Sequence, residues 1–305
     1  MIEYFIRNEK GIIEKIDKCN NGCLVFATAP NDDEISFLSE KFKLRKENLT
    51  DATDIYEIPR FEKEENKIYL FLTVPTEKIN QEFASSFAVI YSKENLIIIT
   101  KHSLEIFDEI LKPEKKVKDF SSSKNLLRIL FFIHRSFEKS IRTIMKETKH
   151  SKTDLNKLNN KNIEKIIKNE ERLNYYISSF ETLIKTYNQI LTEKIIKFSK
   201  RDKVILTDLI VDLTGDLNLS INTIKTTSNM RNYYSTKLSN DLNRTVTALT
   251  IFTIFLAIPT LISSIYGMNI GLPNQTSPDL FIDLGIIVLG IWVVMFSVLR
   301  FLRVI

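Results

Sequence analysis

Glycine, proline, cysteine and histidine are all scarce in this chain, at 7, 7, 2 and 3 of 305 residues. With so few glycines a phosphate-cradling loop is hard to build. Neither such a loop nor a nucleophile elbow or His/carboxylate constellation occurs in the first 120 residues. That argues against an enzyme, and the N-terminal region reads as a scaffold or sensor. Cys19 and Cys23, spaced C-x3-C without a second pair, fit free thiols in a reducing compartment and speak against a metal site. His102, His134 and His150 are scattered and are expected at the surface. The net charge of +5 is modest, and Lys alternates with Asp and Glu through 101–203 as on solvated helical faces, so no nucleic-acid partner is expected. Met1-Ile2-Glu3-Tyr4 lacks the basic flank and apolar core of a secretory leader.

The most informative absence is of charge. Between Arg244 and Asp279 there is not one Asp, Glu, Lys or Arg. The stretch 243–269 is apolar for about one bilayer thickness, and 280–299 follows as a second apolar run. In hydrocarbon a backbone must satisfy its own polar groups, so both read as spanning helices.

Before the spans, residues 1–120 read as a mixed α/β domain. Short β-branched and aromatic runs at 23–27, 68–74, 86–91 and 96–100 are bounded by turn residues. Glu64-Glu65-Asn66 separates 58–61 from a strand starting near Lys67, and Asn31 caps a helix through Phe42. A further helix is expected at 104–111. From Pro113 to Gly215 glycine and proline vanish, which predicts long helices. Residues 121–200 read as an antiparallel pair, started by Ser121-Ser122-Ser123, turning near 150–154 and ending about Lys197. From about Asp202 nothing stops a third helix before Tyr266, because Gly215 costs only about 1 kcal/mol relative to Ala. Its seam of Leu206, Leu209, Leu213, Leu217, Ile221 and Ile224 offers one face for packing. The domain plan is thus a cytoplasmic α/β domain at 1–120, the helical pair at 121–200 and a stalk helix at 201–266, whose span covers about 246–265. An outer loop at 267–279, a second span at 280–299 and a short tail at 300–305 complete it.

Inside the first span Asn243, Val246, Thr250, Thr253, Ala257, Thr260 and Ser264 follow steps of three and four and share a face. One reading is a close-packing interface of small and hydroxyl residues. The other is a wettable pore wall, which demands several copies, since two spans cannot enclose a pore. Pro259 lies mid-helix, where it removes a hydrogen bond.

The first span ends in Tyr266-Gly267-Met268-Asn269. This motif, after an α/β body, two helices and one very long helix, and before a short loop and a final span, resembles the CorA family of divalent metal-ion transporters. The segment from Ile58-Pro59-Arg60-Phe61 to Phe71 is similar to that family's N-terminal sheet. The resemblance covers essentially the whole chain. It implies an α/β/α sandwich and a funnel-shaped homopentamer in the cell membrane. Five long helices would line the pore, the second spans would form an outer ring, and Asn269 would receive hydrated Mg²⁺ at the outer mouth. Gly267 would let the backbone turn tightly, and Tyr266 would brace the loop. Asn243 matches a polar ring at the inner pore, and Val246, Leu249 and Ala257 match hydrophobic constrictions, although many members carry Met where this chain has Ala257. Asp208 falls on a stalk carboxylate that binds regulatory Mg²⁺ between subunits, with Asp212 and Glu77 as further members. Asp216 extends the same acidic surface. The implied activity is passive uptake of Mg²⁺, with Co²⁺ or Ni²⁺ as further substrates, shut by cytoplasmic Mg²⁺.

Two departures stand out: the loop reads Gly271-Leu272-Pro273-Asn274 in place of the common Met-Pro-Glu-Leu, and the basic tail is reduced to Arg300 and Arg303. The loop between the spans holds no Lys or Arg, while Arg244, Arg300 and Arg303 flank the other ends, which places both termini in the cytoplasm. A zinc transporter of the same fold and a membrane-anchored coiled-coil adaptor without a pore are the alternatives. The intact Gly-Met-Asn and a stripe without Cys or His favour Mg²⁺ over Zn²⁺.

Overall fold

The computed structural model describes residues 1–7, 13–19, 22–54, 57–76, 83–104, 111, 121–153, 160–274 and 277–301, without the side chains of 150–153 and 160–162. The chain divides into two compact units, Met1–Asn232 and Tyr233–Ile305.

The first unit is built on a seven-stranded sheet. Its strands are β1 (Ile2–Arg7), β2 (Ile13–Ile16), β3 (Leu24–Thr28), β4 (Arg60–Glu64), β5 (Lys67–Pro75), β6 (Ala84–Tyr91) and β7 (Leu96–Thr100). They lie in the order β2-β1-β3-β7-β6-β5-β4. Only β3 and β7 pair in parallel; the other neighbours are antiparallel. The four central strands are buried on both faces, which is why they read as nearly continuous apolar runs. Alternate residues separate cleanly. Leu24, Phe26, Leu70, Leu72, Phe87, Val89 and Ile98 point into one core, and Val25, Ala27, Tyr69, Phe71, Ala88, Ile90 and Ile97 into the other. The outermost strands are different: β2 is Ile-Glu-Lys-Ile and β4 is Arg-Phe-Glu-Lys-Glu.

The second core is closed by α1 (Asp32–Phe42) and α2 (Lys46–Asp51). Asn31 starts α1 with the expected cap, completed by the Glu34 carboxylate returning to the Asn31 N–H, and Lys43 in the left-handed conformation ends it. Arg60 ties the β4 edge to α2. Its guanidinium pairs with Asp51, Glu57 and Glu62 and stacks 3.7 Å above the Phe71 ring.

The first core is closed by α3 (Ser122–Thr153), α4 (Asn160–Thr192) and the first half of α5 (Lys200–Tyr266). Contacts fix α3 and α4 as antiparallel. Tyr187 donates to the Leu130 carbonyl at 3.0 Å, Phe137 packs on Tyr176 and Phe180, and Asn169 donates to Glu147 at 3.0 Å. The α3 helix continues through Thr153, past the start of the expected turn. The α4 helix stops at Thr192, short of Lys197, and Glu193 accepts from the Lys194 and Ile195 N–H groups just beyond it. Sequence reasoning missed β1, β2 and α2. The expected helix at 104–111 falls mostly outside the described residues.

The seam of α5 follows Leu206, Leu209 and Leu213 as expected; beyond them Leu217 and Ile224 still pack against the first core, but the most buried positions change. The next buried positions are Asp216, Ser220, Thr223, Thr227, Met230 and Tyr234, while Leu217, Ile221 and Ile224 are only half buried. The steps of three and four continue unbroken, so the helix keeps its register and the residue type changes. The hydroxyls tolerate burial because each returns its proton to its own helix. Ser220 donates to the Asp216 carbonyl at 2.8 Å, Thr223 to Leu219 at 2.7 Å and Thr227 to Thr223 at 2.9 Å.

Asp216 is therefore not part of an acidic surface. It sits in the seam 3.2 Å from His134 Nε2 on α3, with the side chains only 11% and 12% exposed. His134 is likewise not a surface residue. Cys19 and Cys23 lie side by side, their Cα atoms 5.8 Å apart. The Asp216 carboxylate beside His134 raises its pKa, burial opposes this, and the charges of Asp212 and Glu138 add to the rise. A group with a raised folded pKa stabilises fully below its unfolded value, about 6.5, and loses that contribution as pH climbs through the folded one. We predict that the thermal midpoint of the protein falls as pH rises from 6 and that His134→Gln flattens this fall. Asp216→Asn, which removes the charge that holds the imidazolium, is expected to flatten the fall in the same way.

Candidate functional site

The second unit contains the end of α5 and α6 (Leu280–Phe301). Both helices are long and apolar enough to cross a membrane, and their most apolar windows are unburied. On α5 the partly covered positions from the start of the span to the helix end are Thr247, Ile251, Phe255, Ile258, Pro259, Ile262 and Tyr266. The covering contact is visible in detail at Trp292. Its indole N–H donates to the Phe255 carbonyl at 3.2 Å, and its ring lies 5.5 Å from the Phe255 ring.

At about 100° per residue, the covered face and the polar stripe stand roughly half a turn apart. The α6 helix thus occupies the side of α5 opposite Asn243, Val246, Thr250, Thr253, Ala257, Thr260 and Ser264, all of which are exposed in one chain. Leu249, at the border of the stripe, is exposed as well. Thr250 donates to the Val246 carbonyl, Thr253 to Leu249 and Thr260 to Leu256, each at 2.8 Å. With its proton committed to the helix, a threonine hydroxyl presents only lone pairs outward. The exposed face is chemically a row of acceptors set in methyl groups.

The helix ends at the motif. Tyr266 is its last residue, and Gly267 extends the final turn by donating to the Ser263 carbonyl at 2.9 Å. Met268 donates to Ile265 at 3.2 Å, after which the chain bends through Asn269. Gly267 does not adopt a left-handed backbone. A Cβ there would lie 3.2 Å from the Ser263 carbonyl oxygen, a contact tighter than most, against backbone that would have to give. The chain turns at Gly267 and bends through 268–270. Gly267, Met268 and Asn269 are exposed. Asp283 N–H donates to Asp279 O at 3.1 Å, so Asp279 opens the first turn of α6 at the far end of the loop.

The candidate regulatory acids lie in the first unit. Asp208 and Asp212 are exposed one turn apart on α5, on the side away from the leucine seam. Val204 and Val211, 60% and 63% exposed, flank Asp208 along the same side. Glu77 lies outside the described residues. Among the described residues no three His, Cys, Asp or Glu side chains converge as a metal site. Two features of interest escaped the sequence reading, Trp292 with its partner and the pairing of His134 with Asp216. The first had a signal, since a lone indole in an apolar span needs a partner for its N–H. The second pairs residues 82 positions apart, which periodicity on one helix does not reveal.

Comparison with known proteins bears on this architecture as a whole. The family described as "CorA-like Mg2+ transporter protein" matches residues 24–303. The cobalt/magnesium transport protein CorA of Methanocaldococcus jannaschii is 25% identical over 280 residues, covering 87% of this chain and 83% of its own. The magnesium transport protein CorA of Helicobacter pylori is 22% identical over 295 residues, covering 88% of each. The complete structure of the M. jannaschii transporter superposes with a TM-score of 0.80 at 20% identity, over 98% of this chain and 97% of that one. The fold is thus that of CorA: an N-terminal α/β domain, a long helix and a C-terminal helix. The chain belongs to the CorA family, whose members are membrane transporters of divalent cations and not enzymes.

Proposed function

We propose that this protein is a passive Mg²⁺ uptake channel of the cell membrane, assembled as a homopentamer. Co²⁺ and Ni²⁺ are candidate further substrates. The observation that carries the reading is the acceptor stripe left uncovered by α6 and ending at Gly267-Met268-Asn269. Five copies around an axis would turn these stripes inward and the α6 helices toward lipid.

Mg²⁺ gives up its water reluctantly, so a selective first site should hold the hydrated ion. Asn269 carbonyl oxygens accept hydrogen bonds from that water without the deep well of a carboxylate ring, and the ion remains free to leave. Below it, Thr260, Thr253 and Thr250 offer lone pairs to the same water, and Asn243 forms a polar ring at the inner end. Val246, Leu249 and Ala257 are the candidate narrow apolar levels. The donors are hard oxygens, with no thiolate or imidazole on the stripe, a set suited to Mg²⁺ more than to Zn²⁺.

Regulation in this reading comes from Asp208 and Asp212, with remaining ligands supplied by a neighbouring copy. Cytoplasmic Mg²⁺ bridges carboxylates that otherwise repel and holds the bodies together with the pore shut. The exposed Val204 and Val211 beside Asp208 give neighbouring copies an apolar surface to meet on. Both termini lie in the cytoplasm, because the loop between spans has no Lys or Arg while Arg244 and Arg300 flank the other ends.

Ion flux into liposomes with Mg²⁺, Co²⁺ and Zn²⁺ tests the pore. Wild type should conduct Mg²⁺ and Asn269→Ala should lose at least tenfold; equal leak in both proteins would sink the model. For regulation, Asp208→Ala and Asp208→Lys should each raise the Mg²⁺ concentration needed to protect the assembly from proteolysis. Unchanged protection removes Asp208 from the sensor.

A further inference from the structure

Pro259 lies inside α5, in the middle of the first span. Its nitrogen has no hydrogen, so the carbonyl four residues earlier loses its helical donor. That carbonyl belongs to Phe255. It is the same oxygen that accepts the Trp292 indole N–H at 3.2 Å. The two observations come from different helices, one from a gap in the ladder of α5 and the other from a side chain on α6. A carbonyl without a donor is costly in hydrocarbon, and an indole N–H there also needs a partner, so each group meets the other's need. The rings reinforce the contact, 5.5 Å apart and tilted by 43°.

We propose that Trp292 is a positioning residue that supplies Phe255 with the donor Pro259 withholds, pinning the second span to the first where the first helix is free to bend. The joint divides the stripe. Thr250 and Thr253 lie on the inner side, and Thr260, Ser264 and the Gly-Met-Asn end lie on the outer side. A change of bend at Pro259 alters the tilt of the outer acceptors relative to the inner ones, and Trp292 resists it. The consequence for ion flux rests on the transport reading, whereas the coupling of the three residues does not.

The test is a double-mutant cycle on the full-length protein in nanodiscs, with Trp292→Phe, Pro259→Ala and the pair. Trp292→Phe keeps the ring and removes the donor, and Pro259→Ala returns the helical N–H to Phe255. The thermal midpoint should fall with Trp292→Phe alone and fall by less than half as much when Pro259→Ala is also present. Equal falls in both backgrounds would overturn the joint.

Because Trp292 is the only tryptophan, ultraviolet resonance Raman reads its indole hydrogen bond without interference, even if Trp292→Phe fails to fold. The band should shift toward a weaker bond in Pro259→Ala; an unchanged band also refutes the proposal. Mg²⁺ flux on the same samples separates the two readings. Coupling without flux in wild type removes transport and keeps the joint, and flux with zero coupling does the reverse.

Discussion

A helix of 67 residues cannot be stable by propensity alone; it exists where something packs along it. In the first unit α5 meets this demand with a seam in steps of three and four, leucine at first and then hydroxyls and a salt-bridged carboxylate. In the second unit one face of the same helix lies on α6, through Phe255 and Trp292. The acids Asp208 and Asp212, the threonine stripe and the asparagine at the end are residues that the packing does not consume.

Much of this was legible in the residues. The central strands announced themselves because burial on both faces makes them continuous apolar runs, and Asn31 and the Ser121 cluster marked helix starts by their chemistry. β1 was missed although Ile2, Tyr4 and Ile6 alternate with Glu3, Phe5 and Arg7. Its partner β2, only four residues long and half charged, gave no sign that a sheet extended that far. The second half of the α5 seam was read only in part, for a different reason. Hydrophobicity favours Leu217, Ile221 and Ile224, but a serine or threonine bonded to its own carbonyl behaves as a small apolar residue. Close approach then selects Ser220, Thr223 and Thr227.

That observation bears directly on the span. The same helix uses self-bonded hydroxyls in two settings, buried against the body at 220–227 and exposed on one chain at 250–260. The hydroxyl geometry alone therefore does not distinguish packing from an acceptor row. The location of α6 shows that its own chain does not pack on the stripe, because it takes the opposite face. The motif was readable as letters, whereas the close approach of the Ser263 carbonyl to Gly267 was not; it required the backbone conformation.

The charged outer strands carry a consequence for assembly. A β-sheet offers unpaired N–H and C=O groups along both margins, and any other copy with a similar margin is a potential partner. Here the margins are Glu14 and Lys15 on one side and Arg60, Glu62, Lys63 and Glu64 on the other, with Arg60 and Lys63 already engaged by Asp51, Glu57, Glu62 and Glu193. Adding a strand to either side would desolvate those charges. Those charges oppose growth by sheet extension at both margins.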